Sequence, residues 1–150
     1  MRKAVFISAI ASMPLLFAAS GAGAQQFGTA AEAKAMLEKA GTELKTNEKA
    51  ALDKFNKGDS GFKDRDLYVF CFEMGTGKFT AHPSLKGTDV RKLKDKSGAP
   101  FGEMLYAAAK DGAIATVDYV FPKPGETAPV PKQSFVTKVG DQGCGVGYYK

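Results

Sequence analysis

The chain has no tryptophan, a single histidine and two cysteines among its 150 residues. His82 by itself cannot hold a metal, which needs several convergent ligands, and it cannot catalyse without a positioned nucleophile or carboxylate. No HxH, HExxH or GxSxG string occurs, so the common zinc-hydrolase and serine-hydrolase constellations are missing. No motif implies a cofactor, and an enzyme is the weakest of the function classes. Charge of one sign is scarce as well: 21 basic residues stand against 16 acidic ones, and the lysines are scattered rather than blocked. That pattern does not make a nucleic-acid surface. Beyond residue 24, no apolar run is long enough to cross a membrane.

What is present describes an ordinary globular chain. Hydrophobic residues make up 44% and charged residues 25%, with length enough for one domain and a real core. Residues 1–24 stand apart. Arg2 and Lys3 open a short basic start, Ala4 to Ala19 is apolar, and Ala22-Gly23-Ala24 supplies small residues where a signal peptidase cuts. The run is rich in Ala, Ser and Gly and falls short of a span, so cleavage leaving Gln25 is expected rather than an anchor. The mature domain is then 25–150, exported to the periplasm or secreted. Removing Arg2 and Lys3 from the 21 basic residues leaves 19 against 16 acidic, a net of +3.

Thr29 followed by Glu32 forms a capping box, which predicts a helix starting at Ala30. Ala33, Leu37, Ala40, Leu44, Ala51 and Phe55 recur at helical spacing and give it a narrow apolar seam through Phe55. Such a seam packs on one face of a sheet or pairs with a second copy. Leu67-Tyr68-Val69-Phe70-Cys71-Phe72 is a continuous apolar run of strand length, expected at the centre of a sheet with both faces buried. A two-glycine turn, Met74 to Gly77, leads to a shorter strand that stops at His82-Pro83. Ser84 to Ala99 is polar, and its basic cluster of Arg91, Lys92, Lys94 and Lys96 reads as a solvated face. Pro100 to Lys110 is a short helix with Phe101 and Leu105 facing inward.

Residues 115–139 give a second hairpin. Thr116–Phe121 and Ser134–Val139 are β-branched and aromatic strands, and the prolines between them forbid helix, with a turn near Pro124-Gly125-Glu126. Tyr119 and Phe121 share one strand face, Tyr68 and Phe70 another. Lys132 enters the return strand and can lay its stem over apolar surface, as an ordinary surface lysine does. Cys71 lies mid-strand, and Cys144 begins the final strand, Cys144 to Tyr149. They can bond only if these strands are neighbours; otherwise they are two buried thiols.

The order is long helix, two strands, short helix, two strands, last strand. It resembles that of single Cache domains, the PAS-like extracytoplasmic sensors of chemoreceptors and histidine kinases. The strings that carry the resemblance are Asp66-Leu67-Tyr68-Val69-Phe70 with Ala81-His82-Pro83, Lys94-Asp95-Lys96-Ser97-Gly98 before Phe101, and Asp118-Tyr119-Val120-Phe121-Pro122-Lys123-Pro124-Gly125. Lys132 before Phe135-Val136 and the closing Gly145-Val146-Gly147-Tyr148-Tyr149 complete it, covering about Ala30 to Tyr149. The chain departs from the family in having no tryptophan near Thr116 or before the last strand. It also stops at Lys150, with no second membrane helix or signalling part, so it resembles a detached sensor module.

The resemblance implies an α+β fold: a five-stranded antiparallel PAS/Cache-like sheet with the long N-terminal helix on one face. The short helix and loops then cover a ligand pocket on the other. It places the first and last strands side by side, which brings Cys71 near Cys144. Family members bind small carboxylates or similar metabolites. The expected site combines Tyr68, His82, Tyr119 and Lys132 as polar groups with Phe70, Phe101 and Phe121 as walls, and it performs no catalysis. The expected partners are a small organic acid and, through the N-terminal helix, a membrane receptor or a second copy. The competing expectation is an interaction or dimerisation module that uses this helix and carries a vestigial pocket.

Overall fold

A computed structural model describes residues 26–150; the expected signal sequence at 1–24 lies outside the described residues. Helix α1 spans Ala30–Thr46 and α2 spans Glu48–Lys57. They are followed by strands β1 (Lys63–Asp64), β2 (Leu67–Glu73) and β3 (Phe79–Ala81), then helix α3 (Phe101–Ala108). Strands β4 (Ala115–Pro122), β5 (Pro129–Val139) and β6 (Gln142–Tyr149) complete the chain. All pairings between these strands are antiparallel. The sheet runs β1-β2-β6-β5-β4, with β3 beside β1 on the free edge of β2. The first long strand and the last are therefore neighbours in mid-sheet, as the resemblance implies.

The helical stretch begins where expected: Thr29 caps α1 and exchanges hydrogen bonds with Glu32. It is not one helix, however. Asn47 adopts an extended backbone (φ −160°, ψ 99°), and its side chain accepts from Ala50 N–H. An asparagine that caps locally offers the backbone an alternative to continuing the helix. The apolar seam passes through the break. Ala33, Leu37, Ala40, Leu44, Ala51 and Phe55 are all buried, packed with Leu67, Val69, Cys71, Cys144 and Val146. The seam thus faces the sheet, and the two large apolar side chains exposed among the described residues, Met104 and Ile114, belong to neither α1 nor α2.

β2 has two buried faces because its alternate residues serve two cores. Leu67, Val69 and Cys71 point at the helices, whereas Tyr68, Phe70 and Phe72 point at α3 and the loops. β6 makes room for the second set. A Cβ on Gly143 would lie 2.3 Å from Phe72, on Gly145 2.4 Å from Phe70, and on Gly147 2.3 Å from the Lys132 stem. The glycines occupy one face of β6, and Cys144 and Val146 occupy the other. The rings lie on bare backbone.

The second hairpin is longer than its β-branched cores. β4 includes Pro122, and β5 begins at Pro129 and contains Pro131. These prolines sit where β5 has run past β6, whose last paired residue, Tyr149, faces Lys132, so a missing donor costs no central ladder bond. The turn is as expected, with Gly125 at φ 80° and Glu126 N–H donating to Lys123 O. The basic cluster of Arg91, Lys92, Lys94 and Lys96 is exposed, as expected, but apolar residues of Ser84 to Ala99 turn inward. A 3-10 turn at Val90–Lys92 buries Val90, and Leu85 and Leu93 pack beside it. Gly102 of α3 sits against the Val90 carbonyl, where a Cβ would be 1.8 Å away. This contact seats α3 over the sheet.

Two outcomes follow. Gly145→Ala should destabilise by about 1–3 kcal/mol, the usual cost of overpacking a closed core. Gly75→Ala, with nothing within 4 Å, should change stability by less than about 0.5 kcal/mol; urea denaturation compares them. Cys71 and Cys144 are directly opposite each other and bonded, closing a separation of 73 residues. Unfolded protein should therefore take up no alkylating reagent until a reductant is added. Loss of the bond should cost about 4 kcal/mol, the unfolded-chain entropy of a loop of that size.

Candidate functional site

The face of the sheet opposite the helices carries an aromatic chamber. Tyr68 and Phe70 come from β2, Phe79 from β3, His82 from just beyond it, Phe101 and Leu105 from α3, and Tyr119 and Phe121 from β4. Leu85 and Leu93 close the side formed by the polar loop. Period-two alternation on each strand turns these residues to one face, and the contact of α3 with the 3-10 turn brings Phe101 over them. Phe101 stacks on Tyr119 at 4.9 Å and 3°, and meets Phe121 edge-on at 6.0 Å. The rings nearly fill the chamber, whose free volume is about 10 Å³. Beside it lies an open cleft of about 300 Å³ between Pro83-Ser84 and the loop from Pro122 to Glu126. Tyr68, His82 and Phe121 line both spaces and form the threshold between them.

His82 follows β3 and is turned by Pro83. Its Nδ1 accepts from the backbone N–H groups of Ser84 and Leu85, both at 3.1 Å. Nδ1 is therefore unprotonated, and the proton of the neutral ring is on Nε2, where it is free to donate. Burial, then the Lys132 charge, hold its pKa down to about 4, from an ordinary 6.5. The ring stays neutral at physiological pH.

Lys132 differs most from the sequence expectation. Far from an ordinary surface lysine, it is 1% exposed. It stands opposite Tyr119 on β4 and Tyr149 on β6, and its stem lies over Gly147. Its Nζ donates to the Tyr68 hydroxyl at 3.1 Å and to that of Tyr149 at 3.5 Å. The rings of Tyr68, Tyr149 and Phe121 surround it at 4.5, 4.7 and 5.4 Å. Tyr149 in turn donates to Pro122 O at 2.6 Å. Among the described residues no carboxylate reaches Lys132 within ion-pair distance. Burial brings its amine down to about 7 from 10.5, with the charge of Asp66 pulling partly the other way. Burial also pushes the Tyr68, Tyr119 and Tyr149 hydroxyls well above their usual range. They remain protonated, the Tyr149 O–H being committed to Pro122 O.

The structure thus brings all seven expected residues together, six in the chamber wall and Lys132 behind Tyr68. Sequence reading missed Phe79, Leu85, Leu93, Leu105 and Tyr149 as neighbours. Tyr149 was findable, because it continues the alternation of Gly143, Gly145 and Gly147. Leu85 and Leu93 were not, since isolated leucines in a polar loop carry no period. Lys123 lines the cleft, with Nζ 3.7 Å from the Phe27 ring. Arg65 donates to Phe27 O, and Gly28 N–H donates to Asp66 at 2.6 Å. The segment before α1 is thereby strapped across the loop.

Both Lys132 and His82 bind protons less readily folded than unfolded, so stability should rise with pH across each window. For His82 the rise spans pH 4 to 6.5, and for Lys132 pH 7 to 10.5. The Lys132 rise reaches up to about 1.4 kcal/mol per pH unit. Lys132→Met should flatten the upper rise and keep the lower one. Urea denaturation at a series of pH values measures both, and a flat upper limb in the unaltered protein would mean a solvated amine.

In comparison with known proteins, residues 27–144 match the Cache domain family. Among solved structures, the chain is similar to a methyl-accepting chemotaxis protein from Vibrio parahaemolyticus RIMD 2210633. The identity is 26% and the TM-score 0.64, covering 79% of this chain and 86% of that one. It is also similar to a periplasmic sensor domain of a chemotaxis protein, at 26% identity and a TM-score of 0.60, covering 77% and 86%. A Cache chemosensory domain studied for carboxylic acid recognition shares the fold at 23% identity and a TM-score of 0.55, covering 77% of this chain and 84% of that one. No curated protein matches by sequence. The two-faced sheet, the helix packed on one side and the chamber on the other thus agree with the family match, and the chain belongs to the Cache domain family.

Proposed function

We propose that this chain is an extracytoplasmic sensor module that binds a small carboxylate and performs no turnover. The observation that carries the reading is Lys132: a fully buried lysine whose Nζ, among the described residues, hydrogen-bonds only to two tyrosine hydroxyls. A cation in a dry site with no carboxylate in direct contact is costly, the more distant charge of Asp66 offsetting only part of this, and an anion brought to it forms the strong, charge-assisted kind of hydrogen bond. Tyr68, Tyr119 and the Nε2–H of His82 supply further donors, and Phe70, Phe101 and Phe121 supply apolar walls. The ligand enters from the cleft, past Tyr68, His82 and Phe121, and has to be small because the chamber beyond is nearly full. Residues 1–24 act as a cleaved signal sequence, and 25–150 form the single binding domain. Export is supported by the basic start and apolar run of residues 2–19 and by the periplasmic origin of a similar sensor domain.

The reading is tested by thermal shift of the mature protein against short carboxylates, amino acids and amines. A ligand at about 100 times its dissociation constant should add roughly 2.7 kcal/mol. Calorimetry with a hit should show Lys132→Met weaker by roughly 2 to 5 kcal/mol, with Lys138→Met, remote in its ion pair with Asp111, unchanged. Carboxylate binding takes up a proton on Lys132, so affinity should fall by up to about tenfold per pH unit above neutrality. A pH-independent affinity, or equal affinity in Lys132→Met, removes the lysine from the site.

A further inference from the structure

The buried amine is more than a counter-charge. Neutral, desolvated lysines among apolar walls are the ones that attack carbonyl carbons, because the free amine is the nucleophile and water that would reverse the bond is excluded. Lys132 meets each requirement in its surroundings. Its Nζ is enclosed by Tyr68, Tyr149 and Phe121, with one hydroxyl at 3.1 Å to serve as proton donor. Two of those three rings, Tyr68 and Phe121, also line the open cleft. One layer of side chain therefore separates the amine from a space of about 300 Å³. No other lysine of the described residues is buried.

We propose that Lys132 captures short 2-oxo acids as a reversible imine. The inference rests on the reading of this site as one for small carboxylates and goes beyond it. Nζ bonds to the carbonyl carbon, the carbonyl oxygen takes a proton, and the resulting hydroxyl leaves as water when the C=N bond forms. The Tyr68 hydroxyl lends the proton to the departing oxygen and recovers one from the nitrogen, so atoms and charge balance with no other reactant. A 2-oxo acid is favoured over a simple aldehyde because it carries its own anion. Whenever the imine nitrogen is protonated, the ligand carboxylate sits beside it. An aldehyde would leave a buried cation with only the distant charge of Asp66 to offset it, since no carboxylate of the described residues is in direct ion-pair contact. The amine pKa of about 7 leaves a substantial neutral fraction at physiological pH.

The test uses the mature protein with pyruvate and cyanoborohydride, which reduces an imine to a stable amine. Intact mass should rise by the mass of pyruvate less one oxygen atom, once per chain, and peptide mapping should place the label on Lys132. Labelling there should outrun the exposed lysines by at least about tenfold, given the lower pKa. An excess of propionate, which has the carboxylate and no carbonyl, should protect it, and urea-unfolded protein should label all its lysines alike. Thermal shift with pyruvate and propionate runs in parallel. A shift with both acids and label spread evenly over the exposed lysines would overturn covalent capture and leave the carboxylate site standing. Neither shift nor a preferred label would overturn both.

Discussion

Phe70 and Phe72 lie over the sheet because β6, the strand beside them, presents Gly145 and Gly143 at the facing positions. That pairing of rings with bare backbone constrains the remainder of the ligand-side layer. It draws α3 and the 3-10 turn down onto the rings, since they complete the burial, and it leaves Gly147 as the slot for the Lys132 stem. On the reverse face the same two strands present Val69, Cys71, Cys144 and Val146 to the helices. One strand pair therefore organises both cores, and the disulfide ties that pair together on the helix side.

The chamber combines two features that oppose each other in free energy. Aromatic burial on this scale stabilises strongly. Holding a lysine among the rings does not, because desolvating an ammonium costs several kcal/mol without a partner. The protein keeps the amine hydrogen-bonded to tyrosines and close to neutral. In such a setting, a group that supplies negative charge, or that removes the basicity of the nitrogen, lowers the cost of burying it. A sensor gains from such an arrangement, because ligand binding then changes the local energetics where α3 and the loop over β3 and β4 meet.

Much of the fold was legible in the sequence because its signals are periodic. The capping box at Thr29, the helix seam and the doubly buried run in β2 each follow from spacing. The helix break at Asn47 was less visible, since the apolar seam runs on through it and only the capping geometry of one side chain reveals it. The strand extension through Pro129 and Pro131 was hidden for a related reason. Proline argues against strand unless one knows that the neighbouring strand has already ended. Tyr68 with Phe70, and Tyr119 with Phe121, were readable as sharing strand faces, but the burial of Lys132 was not. A lysine after two prolines looks solvated, and only the register that sets it among Tyr119, Tyr149 and Gly147 takes it inside.

The covalent link between β2 and β6 joins the first long strand of the sheet to the last, 73 residues apart. Every contact that closes the chamber floor must therefore wait until β6 has been added. Until then, the rings of β2 have no bare strand to lie on, and Val69 and Cys71 have no neighbour on that side. A chain interrupted before Gln142 carries two rows of apolar side chains and an unpaired strand edge, which is the condition that invites aggregation. Both cores are thus completed by the same long-range pairing of β2 with β6, and a chain that lacks β6 lacks the strand on which each of them closes.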